Sequence, residues 1–143
     1  MENPTREYYQ SEGELLNFLQ FTYCIKCGSC MAACPTMATD KEYLGPMPLT
    51  QAHRYNTDTR DDGLNLRKYK VGGAHGAFRC HYAGECSNVC PKGVDPARAI
   101  QILKRTLVLD YLKLLKTKAP CKIVEKPAMQ SDHKTPKAPE FTI

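Results

Sequence analysis

The sequence has no apolar run long enough to cross a membrane, and no apolar segment follows Met1. A membrane-spanning helix needs about 20 consecutive apolar residues, so we expect the chain not to enter a bilayer by itself. A secretory signal peptide also requires an apolar stretch near the N-terminus. The sequence therefore predicts a chain that is not secreted. Its cysteines are then not expected to form disulfides, since disulfides persist in oxidising compartments.

Clustered basic charge and strand-like patterning are also missing. The formal net charge is +5, but from Lys113 onward seven lysines stand against three acidic residues, so the rest of the chain is nearly neutral. A nucleic-acid-binding domain needs clustered Lys and Arg together with aromatic positions for stacking, and this excludes that class. No segment alternates apolar and polar residues as a half-buried strand does. The sequence predicts an all-α fold and no nucleic-acid partner.

Cysteine is what the sequence does have, and seven of its eight cysteines fall into two runs. The runs read CIKCGSCMAACP at residues 24–35 and CHYAGECSNVCP at residues 80–91. The first has the C-x2-C-x2-C-x3-C-P spacing of bacterial-type ferredoxins, in which the fourth cysteine binds the other of two iron–sulfur clusters. A proline after that cysteine suits the first turn of a helix that leaves the site. Together the runs predict a two-cluster iron–sulfur domain.

The second run lacks one cysteine. A complete run would have a cysteine midway between Cys80 and Cys86, where this sequence has Ala83. Seven thiolates must then serve two clusters that would need eight. By the crossed-ligand rule, we assign one set of ligands to a [4Fe-4S] cluster: Cys24, Cys27, Cys30 and Cys90. The other set is assigned to a [3Fe-4S] cluster whose missing iron faces Ala83: Cys34, Cys80 and Cys86.

Zinc is the main alternative use of such cysteines. Structural zinc sites take four ligands, commonly from two C-x2–4-C pairs, and triple spacing with a trailing Cys-Pro suits that arrangement poorly. Cys121 lies outside both runs in a stretch rich in Lys and Pro. We expect it to be a free thiol with no ligand role.

Helix signals occupy much of the first 115 residues. Ser11 and Glu14 form a capping-box pattern ahead of an apolar run, residues 45–48 and 60–63 are expected to be turns, and residues 49–57 a helix. Asp95 and Pro96 predict the start of the longest helix. Its apolar residues are expected to pack in the core: Ala99, Ile100, Leu103, Leu107, Tyr111 and Leu114. We predict an α-helical two-cluster ferredoxin domain over residues 1–115. Residues 116–143 are expected to be an extended Lys/Pro-rich tail, disordered when alone.

The cysteine runs and their neighbours resemble a known family. Besides the runs, the matching segments are YLGP at 43–46, AHRY at 52–55, DTRD at 58–61, FRCH at 78–81 and CSNVCPKGVDPARAI at 86–100. Over about residues 8–115 the sequence is similar to the C-terminal half of the iron–sulfur subunit of succinate dehydrogenase and fumarate reductase (respiratory complex II). That family has a small or aliphatic residue where Ala83 stands.

The resemblance implies an electron-transfer role without substrate chemistry on this chain. In the family, electrons from succinate oxidation on a flavoprotein subunit pass a [2Fe-2S] centre, then a [4Fe-4S] and a [3Fe-4S] cluster, to a membrane quinone. The implied partners are the flavoprotein subunit, membrane anchor subunits and a separate [2Fe-2S] ferredoxin-domain chain. The C-x4-C-x2-C signature of that domain is absent here, so the sequence is expected to be either one polypeptide of a split subunit or a fragment of a longer one. The implied location is peripheral, on the inner face of an energy-transducing membrane. This is the matrix side of the mitochondrial inner membrane or, alternatively, a prokaryotic plasma membrane.

The resemblance also implies a quinone pocket beside the [3Fe-4S] cluster. The family often has tryptophans after the first Cys-Pro, and this sequence has none, so the lining of the pocket must differ. We expect Pro35, Ala38 and His81 there. A histidine can donate a hydrogen bond or a proton to a quinone, and the alternative role for His81 is a hydrogen bond to a cluster or a propionate.

Two histidines and two basic residues near the cysteine runs are expected to have structural or electrostatic roles. His53 and His75 are expected to be structural. Arg79 and Lys92 flank ligands, and they are expected either to raise the potential of an anionic cluster through their charge or to pair with partner carboxylates.

Two other functions remain as alternatives. The two-cluster small subunit of a heterodisulfide-reductase-like or glycolate-oxidase-like enzyme has two complete cysteine runs, so Ala83 argues against it. The other alternative is a free ferredoxin carrier, against which the additional helices and the Lys/Pro-rich tail argue.

Overall fold

A computed structural model describes residues 8–114, and every regular element within them is a helix. This confirms the helical prediction for that part of the chain. A 3₁₀ helix at Ala77–Arg79 accompanies the α-helices. In chain order the α-helices are α1 (Glu12–Leu16), α2 (Leu19–Thr22), α3 (Ser29–Ala32), α4 (Pro35–Thr39), α5 (Pro46–Thr57), α6 (Leu64–Val71), α7 (Glu85–Asn88) and α8 (Pro96–Tyr111).

The two longest helices, α5 and α8, pack against each other and carry the main hydrophobic core. Leu49 of α5 meets Ile100 and Leu103 of α8, and all three side chains are fully buried. Asp95 caps α8 as predicted, because its side chain accepts a hydrogen bond from the amide of Arg98. With Pro96 at the first helical position, this end satisfies the amides that a helix start leaves free.

The end of α8 departs from the sequence prediction. Leu107 still packs against the core, but Tyr111 is 85% exposed and Leu114 is 67% exposed, so placing those two residues in the core was wrong. Tyr111 is the last residue of α8, and Leu114 lies beyond the helix. The helical spacing that predicted their burial therefore ends at this point.

Helix α5 begins earlier than the sequence suggested. The segment at residues 45–48 was predicted to be a turn, yet Pro46 already lies in the first turn of the helix. The first amides of a helix have no intrahelical partner, so prolines cost little there. Pro46 and Pro48 therefore do not break α5.

The N-terminal segment leads the chain into the first cysteine run. Ser11 and Glu14 form the predicted capping box, in which each side chain bonds to the other residue's backbone. Phe18 and Phe21 are then buried against Val94 and Ala99, and this cluster also contacts Cys24 and Cys90. The second core cluster therefore supports the cysteines directly.

Helix α6 has no predicted counterpart. It follows the predicted turn at residues 60–63, and two ion pairs hold its middle. Arg67 pairs with Asp61 of that turn, and Lys68 Nζ lies 3.2 Å from Asp110 Oδ2 on α8. The contact between Lys68 and Asp110 spans 42 residues, so the local pattern did not reveal it.

Several expectations fall outside the part of the chain that the structure describes. They include the tail at residues 116–143 and Cys121. Among the helices of residues 8–114, none has the length and apolar character needed to cross a membrane.

Candidate metal centre

The two cysteine loops, residues 24–34 and 80–90, have the same backbone conformation. Lys26 and Tyr82 both have left-handed φ values, of 57° and 60°. Gly28 and Gly84 do as well, at 83° and 82°, which glycine adopts without the steric penalty of a Cβ. The two loops therefore turn at matching positions.

The loops also share their hydrogen bonds. The amides of Met31 and Ala32 bond to the carbonyl of Gly28, and the amides of Ser87 and Asn88 bond to that of Gly84. Each set forms a one-turn helix, α3 or α7, that contains the third cysteine position of its loop. The two loops are therefore structural repeats, 56 residues apart in the sequence.

Three cysteines of the first loop and one of the second loop line a common space, the first cavity. It has about 400 Å³ of empty volume, part of it open to solvent. Its cysteines are Cys24, Cys27, Cys30 and Cys90. The segment after Cys90 is held against the first loop, because Gln20 Nε2 donates to the carbonyl of Gly93 at 3.2 Å.

The remaining three cysteines line the second cavity, which has about 300 Å³ of empty volume, part of it open to solvent. They are Cys34, Cys80 and Cys86. Ala83 also lines this cavity, at the position in its loop that Cys27 occupies in the other. The structure therefore groups the seven cysteines as four and three, with one cysteine exchanged between loops.

The two cavities are neighbours. Cys30 from the first cavity and Cys86 from the second are both buried and pack with Ala97 in one small cluster. The side chain of Ser87 anchors this region to α8 by accepting a hydrogen bond from the amide of Ala97 at 3.1 Å. One cysteine of each set thus lies at the wall between the two spaces.

Burial sets the protonation of the inner thiols. Burial, with the neighbouring Cys24 and Cys86 thiols adding to it, raises the pKa of Cys30 to about 11. Burial likewise raises the pKa of Cys86. Only thiolates are strong metal ligands, so metal binding at these positions must displace protons. Exposed Cys27 differs, because the Ser29 side chain, 3.4 Å from its sulfur, lowers its pKa.

Hydrogen bonds hold the second loop at Cys80. The amide of Tyr82 donates to Cys80 Sγ at 3.4 Å, and Lys104 Nζ of α8 donates to the Cys80 carbonyl at 2.7 Å. Neither contact was predicted from the sequence, nor was that of Ser29 with Cys27. The Ser29 contact could have been predicted, because a hydroxyl two residues after a cysteine can reach its sulfur. The Lys104 contact could not, because Lys104 is 24 residues from Cys80.

Tyr43 is a further residue that the sequence did not single out for this site. Its ring is 3% exposed and packs in the main core with Cys34 and Cys80. Its Oη atom is buried and has no hydrogen-bond partner within residues 8–114. Burial, followed by the nearby Cys80 and Cys34 thiolates, raises the pKa of the Tyr43 phenol, so the phenol keeps its proton. The protein therefore places a free hydroxyl donor next to the second cavity.

The residues expected at a quinone lie near the second cavity or on the adjoining surface. Pro35 lines the cavity and is exposed, Ala38 is exposed within α4, and His81 is exposed directly after Cys80. Tyr82 also lines the cavity with 61% of its surface exposed. This side of the second cavity is therefore open, and its lining is partly aromatic.

The flanking charges differ in their surroundings. Arg79 Nε lies 2.6 Å from Asp40 Oδ2, and its hydrogen bond lowers the pKa of that carboxyl group. Its guanidinium is therefore paired within the chain. Lys92 is exposed and lines the first cavity together with its four cysteines.

The two internal histidines have structural surroundings. His53 is buried edge-on to Phe21, with ring centroids 5.0 Å apart. His75 pairs with Glu42 at 3.1 Å. Within residues 8–114, no three His, Cys, Asp or Glu side chains are grouped as they would be around a single metal ion.

The donors present fit iron–sulfur clusters. Thiolates are the ligands of such clusters, and the first run has their spacing. Each set of cysteines lines one cavity, and the unpaired Tyr43 hydroxyl beside the second cavity is suited to donate to a sulfur atom.

Known proteins with related sequences are iron–sulfur subunits. The fumarate reductase iron–sulfur subunit of Mycobacterium tuberculosis is 48% identical over 76% of this chain and 44% of its own length. That of Haemophilus influenzae is 46% identical over 76% and 43%. The mitochondrial succinate dehydrogenase [ubiquinone] iron–sulfur subunit of Candida glabrata is 38% identical over 61% and 35%.

These relatives confirm the resemblance seen in the sequence, and this chain spans less than half of their length. Residues 20–94 match the family described as the 4Fe-4S dicluster domain. The match covers more than half of the 143 residues and includes all seven cysteines of the two cavities. On this evidence the chain belongs to the 4Fe-4S dicluster domain family.

Proposed function

We propose that the first cavity holds a [4Fe-4S] cluster and the second a [3Fe-4S] cluster. The observation that carries the proposal is the division of the cysteines into sets of four and three, with Cys34 and Cys90 exchanged between the loops. Exchange of the fourth cysteine is the rule in two-cluster ferredoxins. Ala83 offers no ligand atom at the place where the first loop has Cys27.

When bound, iron–sulfur clusters accept and release single electrons at potentials set by cluster type, hydrogen bonds to sulfur and solvent exposure. The chain's own residues control the last two factors. The Tyr82 amide donates to Cys80, and Cys30 and Cys86 are buried between the cavities. Contact between one cysteine of each set keeps the two sites close together, as a path for electrons requires.

The chain as a whole is proposed to be an electron-transfer subunit of a succinate:quinone oxidoreductase. The names of its relatives support this role, since they are iron–sulfur subunits of fumarate reductase or succinate dehydrogenase. In this proposal the chain receives electrons from a flavoprotein partner through a separate [2Fe-2S] chain and delivers them to a membrane quinone. It performs no substrate chemistry itself.

The quinone is proposed to bind on the open side of the second cavity. Pro35 and Tyr82 line that side, and exposed His81 lies next to Cys80. The exposed ring of Tyr82 supplies apolar area, and His81 supplies a hydrogen-bonding group. Membrane anchor subunits would cover it. The chain would then lie peripherally on the inner face of an energy-transducing membrane, with the matrix side of the mitochondrial inner membrane favoured.

Purification of the chain with its natural partners tests the proposal. The preparation is expected to contain a flavoprotein, a [2Fe-2S] chain and membrane subunits. Oxidised samples are expected to show the EPR signal of a [3Fe-4S] centre, and reduced samples that of a [4Fe-4S] centre. Two [4Fe-4S] clusters without the oxidised-state signal would refute the ligand assignment. An active complex with no [2Fe-2S] chain would refute that partner.

A further inference from the structure

Beyond the cysteines, Tyr43 has a backbone that hydrogen bonds hold at Tyr43 itself and at the next residue. The Tyr43 amide donates to the carbonyl of Asp40 at 3.4 Å, and the amide of the next residue, Leu44, donates to the carbonyl of His75 at 3.0 Å. The ring is enclosed in the main core, with fully buried Leu49 and Ile100 among the members of that core. The side chain therefore has little freedom to move its hydroxyl to solvent.

The unpaired hydroxyl is unusual for a buried group. Nearly all buried polar atoms in proteins have a hydrogen-bond partner, and an unpaired one is costly unless an acceptor is supplied from elsewhere. Three buried side-chain atoms within residues 8–114 lack a partner: Tyr43 Oη, Asn56 Nδ2 and Gln101 Nε2. Of these three side chains, Tyr43 is the one that belongs to a cluster containing cysteines of a cavity.

The groups around the Tyr43 hydroxyl identify the missing acceptor. Cys34 and Cys80 pack with Tyr43 in the main core. Both line the second cavity, and none of the four cysteines of the first cavity belongs to this core cluster. Sulfur ligated to iron is a thiolate, which is a better acceptor than the neutral thiol.

We infer that Tyr43 donates a hydrogen bond to sulfur at the three-cysteine site and that this raises the reduction potential of that site alone. This inference rests on the proposed function, since it requires a redox centre in the second cavity. Reduction adds negative charge at sulfur, and a hydrogen-bond donor stabilises the more negative state. Tyr43 is thus a positioning and tuning residue rather than an iron ligand.

Tyr43→Phe tests the inference because it removes the hydroxyl and keeps the ring. The full chain, purified with its partners, is titrated electrochemically while EPR follows both centres. The midpoint potential of the three-cysteine centre is expected to fall. A roughly tenfold change in the reduced-to-oxidised ratio at fixed ambient potential corresponds to about 59 mV for a one-electron couple. The potential of the four-cysteine centre is expected to stay unchanged.

Tyr23→Phe is the matched control. Tyr23 is exposed and directly precedes Cys24, so the same atom is removed beside a ligand but outside the core. Neither potential is expected to change. An unchanged three-cysteine potential in Tyr43→Phe, with both EPR signals intact, overturns the inference and leaves the proposed function standing. Absence of the [3Fe-4S] signal from the wild-type complex overturns both.

A second substitution covers the case in which Tyr43→Phe does not assemble. A fluorinated tyrosine at position 43 keeps the hydroxyl and makes it a stronger donor. It is expected to raise the potential of the three-cysteine centre while leaving the other centre unchanged. No upward shift with this residue would equally overturn the inference.

Discussion

The first and second cysteine loops share a backbone conformation but differ in their number of cysteines, four in the first and three in the second. Both have left-handed residues at matching positions, Lys26 with Tyr82 and Gly28 with Gly84, and both continue into a one-turn helix. The ligand that differs is Cys27, whose counterpart is Ala83. The scaffold of the second loop was thus kept while one thiol is absent. Because the loop does not need that cysteine for its shape, the substitution changes the chemistry of the site and leaves its architecture intact.

The two cavities also rest on different supports. The small cluster that contains Phe21 contacts Cys24 and Cys90 of the first cavity, and His53 packs edge-on to Phe21. The main core contains Tyr43 together with Cys34 and Cys80 of the second cavity. The first set of cysteines therefore has an aromatic support, and the second has a free hydroxyl donor beside it. Differences between the two centres arise from these neighbours as well as from the number of cysteines.

The largest expected effect comes from breaking the exchange between loops. Cys34→Ser changes a residue of the first loop but should abolish the centre in the second cavity, and Cys90→Ser should do the reverse. The reason is that each side chain lines the cavity of the other loop. Iron analysis and EPR measure the outcome, with about four irons expected to remain in Cys34→Ser and about three in Cys90→Ser. If each variant instead lost the centre of its own loop, the cysteine sets would be wrong.

The next effect concerns the one ligand that distinguishes the loops. Ala83→Cys gives the second loop the thiol that the first has at Cys27, and Ala83 already lines the cavity. The site is expected to convert toward [4Fe-4S], with loss of the oxidised-state EPR signal, gain of about one iron and a lower potential. Its mirror image, Cys27→Ala, should create a three-cysteine site in the first cavity. Persistence of the original signal in Ala83→Cys would show that the repeat does not extend to this position.

Parts of this fold were predictable because their signals are local. The capping box at Ser11 and Glu14 and the cap at Asp95 depend on residues within one turn, and both are present as predicted. The spacing of the cysteines likewise predicted which of them would meet across the loops, although their role as ligands is still a proposal.

Other parts depend on contacts that local patterns do not show. Helix α6 is fastened through Arg67 and through Lys68, whose partner Asp110 lies 42 residues away. The local pattern also did not show that α8 ends at Tyr111, whose side chain is exposed. Tyr43 was visible as part of the YLGP match, but nothing in the sequence indicates that its hydroxyl would be buried without a partner.

A smaller effect is expected where the second loop meets solvent. His81→Ala should lower quinone reduction by about a hundredfold, the low end of what a lost proton donor costs, and leave succinate oxidation with an artificial flavin-level acceptor unchanged. His75→Ala is the control, because His75 is another exposed histidine but pairs with Glu42. EPR of both centres must remain normal for the comparison. Loss of the [3Fe-4S] signal in His81→Ala would assign His81 a structural role, and normal quinone reduction would remove it from the mechanism.

The smallest expected effect is a loss of stability in acid caused by His53. This residue packs on Phe21, whose cluster contacts Cys24 and Cys90. Burial, with a further contribution from the Arg98 charge, lowers the pKa of His53 to about 4 from its usual 6.5. Between these values the unfolded chain binds a proton that the folded chain excludes, so stability is complete above about pH 6.5 and decreases as the pH falls toward 4. The loss is on the order of 2–3 kcal/mol at pH 4.

His53→Leu removes this titration while keeping an apolar contact with Phe21. Thermal unfolding of the purified complex at pH 7 and pH 5 is the measurement. The wild type should lose more of its midpoint temperature than the variant over this interval, and its four-cysteine EPR signal should disappear before the three-cysteine signal. Protonation of other titratable groups and loss of the clusters in acid affect both proteins, so these effects cancel in the comparison. Equal decreases in the two proteins would mean that protonation of His53 does not destabilise the surroundings of the first cavity. The difference between the two centres would then lie in their ligands and in Tyr43.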